Sequence, residues 1–223
     1  MAGRATLYVE GNNDVHTIIH LLARHDVKLD MFSPDLDTPI IASSNTGEGG
    51  DGGDSHLIQT LSSLVNLAER PIGFVFDADA SVGVKARWDS VRHQLRRSEV
   101  PVPAKMPSEG FIGSSPVFKV NVGVWLMPDN QRSGSLETFL CDLIDDKDSL
   151  FKFAKESTDQ AMKIGSRFSE SSRSKAELYA WLAWQSEPGR PYGTAIKAKY
   201  FEMDSPAALA FVGWFRRLFQ LSD

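Results

Sequence analysis

The feature that most constrains this chain is an uninterrupted apolar run, Ile72-Gly73-Phe74-Val75-Phe76, introduced by Pro71 and stopped by Asp77-Ala78-Asp79. A short run without alternation is the pattern of a strand covered on both faces, and such strands belong to parallel sheets buried between helical layers. A second run, Ala5 to Val9, is also short and apolar, and it closes at Glu10-Gly11-Asn12-Asn13. Both strands end in acid. In parallel α/β sheets functional groups gather where strands end, because the loops there leave toward a shared crevice.

Around these two runs, strand and helix signals alternate through the first two thirds of the chain. A helix follows Glu10, with Asp14 placed at or near its N-cap and Val15, Ile18, Ile19, Leu22 and Ala23 on one face. Pro39 to Ala42 reads as a short strand, the Gly, Ser and Asp-rich stretch 43–54 as a loop, and 55–68 as a helix with an apolar stripe. Trp88 to Arg97 reads as a helix, the proline-rich stretch from Pro101 to Pro116 as a loop or irregular hairpin, and Lys119 to Met127 as a strand. Ser135 to Leu143 follows as a helix carrying Glu137. Three further helical segments are expected at 150–154, 175–185 and 207–221. The expected fold is α/β, a mostly parallel sheet flanked by helices. Its core spans 1–145, and a C-terminal helical extension, 146–223, packs on the same domain.

Composition narrows the setting. With 42% hydrophobic residues in 223 the chain can bury a substantial core. No apolar stretch approaches the roughly 20 residues of a membrane span, and no signal peptide is recognisable, so a protein without membrane contact is expected. The single Cys141 cannot form an internal disulfide or a cysteine-based zinc site, which fits the cytoplasm. A formal charge of −5 argues against coating nucleic acid by bulk electrostatics. Local basic clusters remain, Arg87, Arg92, Arg96 and Arg97 in one segment and Arg167, Arg173, Lys175, Arg190, Lys197 and Lys199 in another; each reads equally well as a solvated face.

The acidic residues carry the chemistry. Asp77 and Asp79 alternate on an extended chain, so both present oxygens to one side while small Ala78 packs away. Together with Glu10 they form a group of like charges that repel by several kcal/mol at low dielectric unless a cation intervenes. Mg²⁺ suits such oxygen ligands, with Mn²⁺ as a substitute. Asp-x-Asp alone also fits a polar strand exit; the metal reading draws its weight from Glu10 in the preceding strand-helix unit.

Val9-Glu10-Gly11-Asn12-Asn13-Asp14, followed by Phe74-Val75-Phe76-Asp77-Ala78-Asp79, resembles the signature of Toprim domains, found in topoisomerases, bacterial primases and OLD-family nucleases. Within that superfamily the chain looks most similar to stand-alone, OLD-like Toprim proteins. The resemblance implies a Toprim fold and Mg²⁺-dependent phosphodiester chemistry on DNA or RNA. It makes Glu10 a metal ligand or general acid/base and Asp77 and Asp79 the metal-binding pair. Asp14 would be a second acidic position, or simply a cap. Glu137, in Gly134-Ser135-Leu136-Glu137, would complete the metal ligands, or only favour the start of its helix. Lys175 resembles a lysine that stabilises transition-state charge, a role open also to Lys197 or Lys199. OLD nucleases carry an ATPase domain, whereas the Gly-rich stretch 47–53 lacks the lysine of a phosphate-binding loop. Any ATPase would therefore be a separate partner protein or absent; a homodimer is also compatible with the resemblance.

Two other readings compete. Phe74 to Ser81 approximates the opening motif of haloacid-dehalogenase-like phosphatases, with Asp77 as nucleophile and Asp79 as acid/base, although a complete strand-helix unit carrying Glu10 precedes it. A Toprim-like module that binds nucleic acid or a partner without cutting is the third reading. For that reading the aromatic tail with Trp181, Trp184, Phe211, Trp214, Phe215 and Phe219 is a candidate surface, and core packing is the simpler account. His16 and His20 stand one helical turn apart without a third ligand and read as a polar flank. Asp142, Asp145, Asp146 and Asp148 read as a solvated turn.

Overall fold

Five strands form a single sheet in the order β2-β1-β3-β5-β4, as seen in a computed structural model that describes residues 3–29, 33–44, 53–79 and 81–222. The strands are β1 (Thr6–Val9), β2 (Ile40–Ser43), β3 (Ile72–Asp77), β4 (Phe111–Ser115) and β5 (Val120–Met127). The first three and β5 run parallel, and β4 lies antiparallel against β5 at one edge. Among the described residues the α-helices are α1 (Asn12–Arg24), α2 (Gly53–Leu67), α3 (Gly83–Arg97), α4 (Leu136–Cys141), α5 (Ser149–Ile164), α6 (Arg173–Ala183), α7 (Tyr192–Lys197) and α8 (Pro206–Phe219). The chain is therefore α/β, with a mostly parallel sheet flanked by helices. Most of the expected loop at 43–54 lies outside the described residues.

Alternation along β3 divides the interior into two layers. Ile72, Phe74 and Phe76 face one layer with Leu57, Leu61 and Val65 of α2 and Trp88, Val91 and Leu95 of α3. Val75 faces the other, together with Leu7, Val9 and Trp125 and the buried faces of α1 and α4 to α8. Residues two apart on a strand share a side, so covering both sides with helix makes every position of β3 apolar up to Asp77. β5 follows the same logic. Its residues Val122 to Met127 are all buried, which is why both faces of that strand are apolar rather than one.

The second layer is closed by a glycine notch. Gly73 and Gly123 are register partners on β3 and β5. A Cβ on Gly73 would stand 2.7 Å from Leu7 and 2.8 Å from Leu218, and one on Gly123 2.5 Å from Leu218. Those distances are below van der Waals contact, so only glycine allows α8 to lie directly on the sheet. Trp214 then reaches the Phe111 carbonyl with its indole N–H at 3.1 Å. Trp181, Phe211, Trp214 and Phe215 are all at most 1% exposed. These rings are core, and Trp184 at the end of α6 is the partly exposed member of the tail.

Several boundaries differ from the sequence expectation for local reasons. Helix α3 begins at Gly83, five residues ahead of Trp88, because Gly83 takes a left-handed φ of 78° and turns the chain directly into the helix. Helix α5 runs to Ile164, where Gly165 with a φ of 111° ends it as a left-handed cap. Asp14 is not the N-cap of α1: Gly11 holds that position, and Asp14, at the third helical residue, accepts the Gly11 N–H at 3.1 Å. Among the described residues no helix is long and apolar enough to cross a membrane.

Candidate functional site

The parallel pairing of β1 with β3 fixes where the acids meet. Thr6, Leu7 and Tyr8 stand opposite Ile72, Gly73 and Phe74, so both strands finish at the same sheet edge. Glu10, one residue past β1, reaches across and accepts the backbone N–H of Asp77 on its Oε1 at 3.1 Å. Asp77 Oδ1 in turn accepts the N–H of Leu136, the first residue of α4, at 3.0 Å. That N–H has no partner within the helix, so the carboxylate satisfies it and faces the positive end of a short helix.

Helices α1, α4 and α6 add the remaining charges. Asp14 enters from the first turn of α1, and Glu137 from the first turn of α4. Lys175, near the start of α6, places its Nζ 3.3 Å from Glu137 Oε1. Ser135 donates its hydroxyl to Glu137 Oε2 at 2.9 Å. Glu10, Asp14, Asp77, Glu137 and Lys175 all line one cavity of about 300 Å³, with Asn12, Asn13 and Tyr192.

The balance of charge in this cavity is uneven. Burial raises the Asp77 carboxyl well above the usual range, and the neighbouring charges of Glu10, Asp14, Glu137 and Asp79 push it further. Asp14 is raised to about 6 by burial and by Glu10 beside it, against the lowering effect of its backbone hydrogen bonds. Both shifts share the same two causes, burial first and then the company of other carboxylates in a space where Lys175 is the cation among the lining residues. Larger cavities lie elsewhere, but the one of about 410 Å³ between Arg70 and Lys119 sets those cations against Asp37 and Glu69.

Asp79 sits apart. It does not line the cavity, and its Oδ2 pairs with Arg87 Nη2 at 3.1 Å. Arg87 is buried on α3 while the Asp79 side chain is 47% exposed. Arg92 from the same basic cluster is engaged by the Ala104 carbonyl and by Asp89. Of the three lysines considered for the site, Lys175 lines the cavity and Lys197 and Lys199 do not. Tyr192 is the contributor the sequence left unmarked. Its six-residue helix is too short to show a period, and Pro191 ahead of it is the only local cue.

As a ligand set, four carboxylates match a hard divalent cation in donor type, and their negative charge exceeds what Lys175 offsets. As placed, no three potential ligand side chains among the described residues close into a metal-holding group. Glu10 and Asp77 each commit an oxygen to a backbone N–H, and Glu137 commits both of its own. His16 and His20 join no such group, and Asp148 serves as the N-cap of α5, accepting the Phe151 N–H at 2.8 Å.

Fold and site together define an α/β protein with an acidic pocket at the carboxyl ends of two adjacent parallel strands. Over residues 4–220 the chain matches the family described as Protein of unknown function (DUF3226), and it belongs to that family. No curated protein and no solved structure matches it.

Proposed function

We propose that this chain is a Toprim-like, Mg²⁺-dependent enzyme acting on phosphodiester bonds of nucleic acid, in the manner of an OLD-like nuclease. The observation that carries the reading is the Glu10–Asp77 contact. The Glu10 carboxylate, just past β1, accepts the backbone N–H of Asp77 at the end of the adjacent parallel strand β3, and both residues line a cavity that also holds Asp14, Glu137 and Lys175.

In this reading Glu10, Asp77, Asp14 and Glu137 hold the cation, with Mn²⁺ as a substitute. When bound it supplies Lewis-acid chemistry to a scissile phosphate. Lys175 meets the negative charge that develops on the phosphoryl oxygens, and its present partner Glu137 keeps it at the cavity wall. Glu10 doubles as the proton acceptor for an attacking water. Asp79 contributes charge near the pocket through its effect on Asp77, while Arg87 holds its carboxylate. DNA or RNA is the substrate, a separate ATPase protein a partner, a homodimer an available assembly, and the cytoplasm the compartment.

The phosphatase alternative draws less support, because it needs Asp77 and Asp79 side by side in the site and Asp79 is turned to Arg87. Cleavage of supercoiled plasmid, single-stranded DNA and RNA with Mg²⁺, Mn²⁺ or EDTA tests the proposal. Metal-dependent cutting that falls at least about a hundredfold in both Glu10→Ala and Asp77→Ala is the expected result. Hydrolysis of a phosphomonoester such as p-nitrophenyl phosphate that survives Glu10→Ala, with no strand cutting, would favour the phosphatase chemistry. Metal binding without cutting of any substrate would leave a non-catalytic binding module.

A further inference from the structure

Tyr192 is 5% exposed and opens α7. Its hydroxyl donates to Glu137 Oε1 at 3.3 Å, the same oxygen that Lys175 Nζ approaches at 3.3 Å. Its ring packs on Tyr179 of α6 with centroids 5.6 Å apart. Glu137 is thus held by three donors from three places: Ser135 at its own helix start, Lys175 on α6 and Tyr192 on α7. Burial, the Tyr179 hydroxyl and the Glu137 charge together raise the Tyr192 phenol far above its usual range.

The helix that carries Tyr192 is seated on the helix that carries Asp14. A Cβ at Gly193 would lie 2.8 Å from the His16 carbonyl oxygen and 2.8 Å from the His20 ring, so the glycine lets α7 rest directly against the backbone of α1 at His16 and the ring of His20. Tyr192 therefore reaches Glu137 from a base fixed to the other side of the same cavity. Two long side chains, Glu137 and Lys175, otherwise have many rotamers to lose in forming the site.

We propose that Tyr192 is a positioning residue of the acidic pocket, its hydroxyl holding the Glu137 carboxylate, and through it the Lys175 ammonium, in place for cation and phosphate. This rests on the metal-dependent reading of the pocket. The hydroxyl acts as a partner that orients a ligand, and loss of such a partner typically weakens metal binding by about 10-fold to 100-fold.

Calorimetric titration with Mn²⁺ of the full chain, wild type, Tyr192→Phe, Glu137→Gln and the double variant, tests this with no need for turnover. Phenylalanine keeps the ring contacts with Tyr179 and the seat on α1, so the melting temperature should fall by no more than the few degrees that loss of one hydrogen bond costs. The Mn²⁺ affinity of Tyr192→Phe should fall about tenfold, and the double variant should bind no more weakly than Glu137→Gln alone, because both substitutions break one interaction. Wild-type binding with an unaltered Tyr192→Phe affinity would overturn the inference and leave the metal reading standing. Additive losses in the double variant would also overturn it, marking Tyr192 as a packing residue. A wild-type chain that takes up no Mn²⁺ would overturn the metal reading, and this inference with it.

Discussion

Two groups of carboxylates in this molecule meet opposite electrostatic fates. On the outside, Arg132 pairs with Asp129 and Asp142, and Arg173 pairs with Glu170 and Asp159. Burial works to raise the Asp129 carboxyl, but the N–H groups and guanidinium of Arg132 and the Gln131 N–H overcome it and hold it below its usual value. At the strand ends, Glu10, Asp14, Asp77 and Glu137 share a cavity with Lys175, and Asp14 and Asp77 are pushed up. The outer groups are settled by the chain's own cations. The inner group holds excess negative charge that protons or a solute cation must neutralise, and such imbalance in a cleft marks a functional site more often than a structural one.

The largest effect expected from this difference lies in the pH dependence of stability. Asp14 moves from 3.8 when unfolded to about 6 when folded. The folded chain therefore binds more protons between those values, and the contribution is present below about pH 4 and lost as pH rises through 6. A shift of about two units corresponds to roughly 3 kcal/mol, an upper bound for a half-buried group. Asp14→Asn retains an acceptor for the Gly11 N–H and cannot ionise. Urea unfolding of the two proteins should agree near pH 4 and diverge by up to about 3 kcal/mol at pH 7.5, with the variant more stable. Equal stabilities at pH 7.5 would remove the charge imbalance from the account. Mg²⁺ sharpens the same comparison: at 100 times its dissociation constant it should stabilise the wild type by about 2.7 kcal/mol at pH 7.5 and have little effect near pH 4, where Asp14 is protonated.

The acid pair at the strand ends was legible in sequence because apolar runs that stop in acid announce both the strand and its exit. Glu10 and Asp77 meet as that pattern implies, and Lys175 lines the same cavity. Asp79 was not legible. Alternation along an extended chain places it beside Asp77, but β3 ends at Asp77, and Asp79 pairs with Arg87 eight residues on, a contact no local period encodes. Tyr192 escaped for a different reason, since its position depends on α7 meeting α1 at Gly193, a tertiary fit with no trace in hydrophobic spacing. The edge strand β4 was legible only in outline: the stretch 101–116 reads as a loop or irregular hairpin, and β4 does pair antiparallel with β5. Its sequence, Phe111-Ile112-Gly113-Ser114-Ser115, has one glycine, two serines and partly exposed positions, the composition of a loop rather than a buried strand.

The smallest effect should come from the outer group, and its sign should be opposite. Arg132 is 56% exposed and joins Asp129, after β5, to Asp142 at the end of α4. Arg132→Ala leaves both carboxylates accessible to water, so the loss should be at most about 1 kcal/mol and should shrink further in high salt. Because the folded state holds Asp129 below its ordinary value, the pair contributes above about pH 4 and fades as the carboxylate protonates at lower pH. Stability measured between pH 5 and 8 should therefore show a small, flat deficit for Arg132→Ala, where Asp14→Asn shows a large, rising gain. A deficit as large as the Asp14 effect would mean that the exposed pairs matter as much as the pocket, and the contrast between settled and unsettled carboxylates would no longer identify the site.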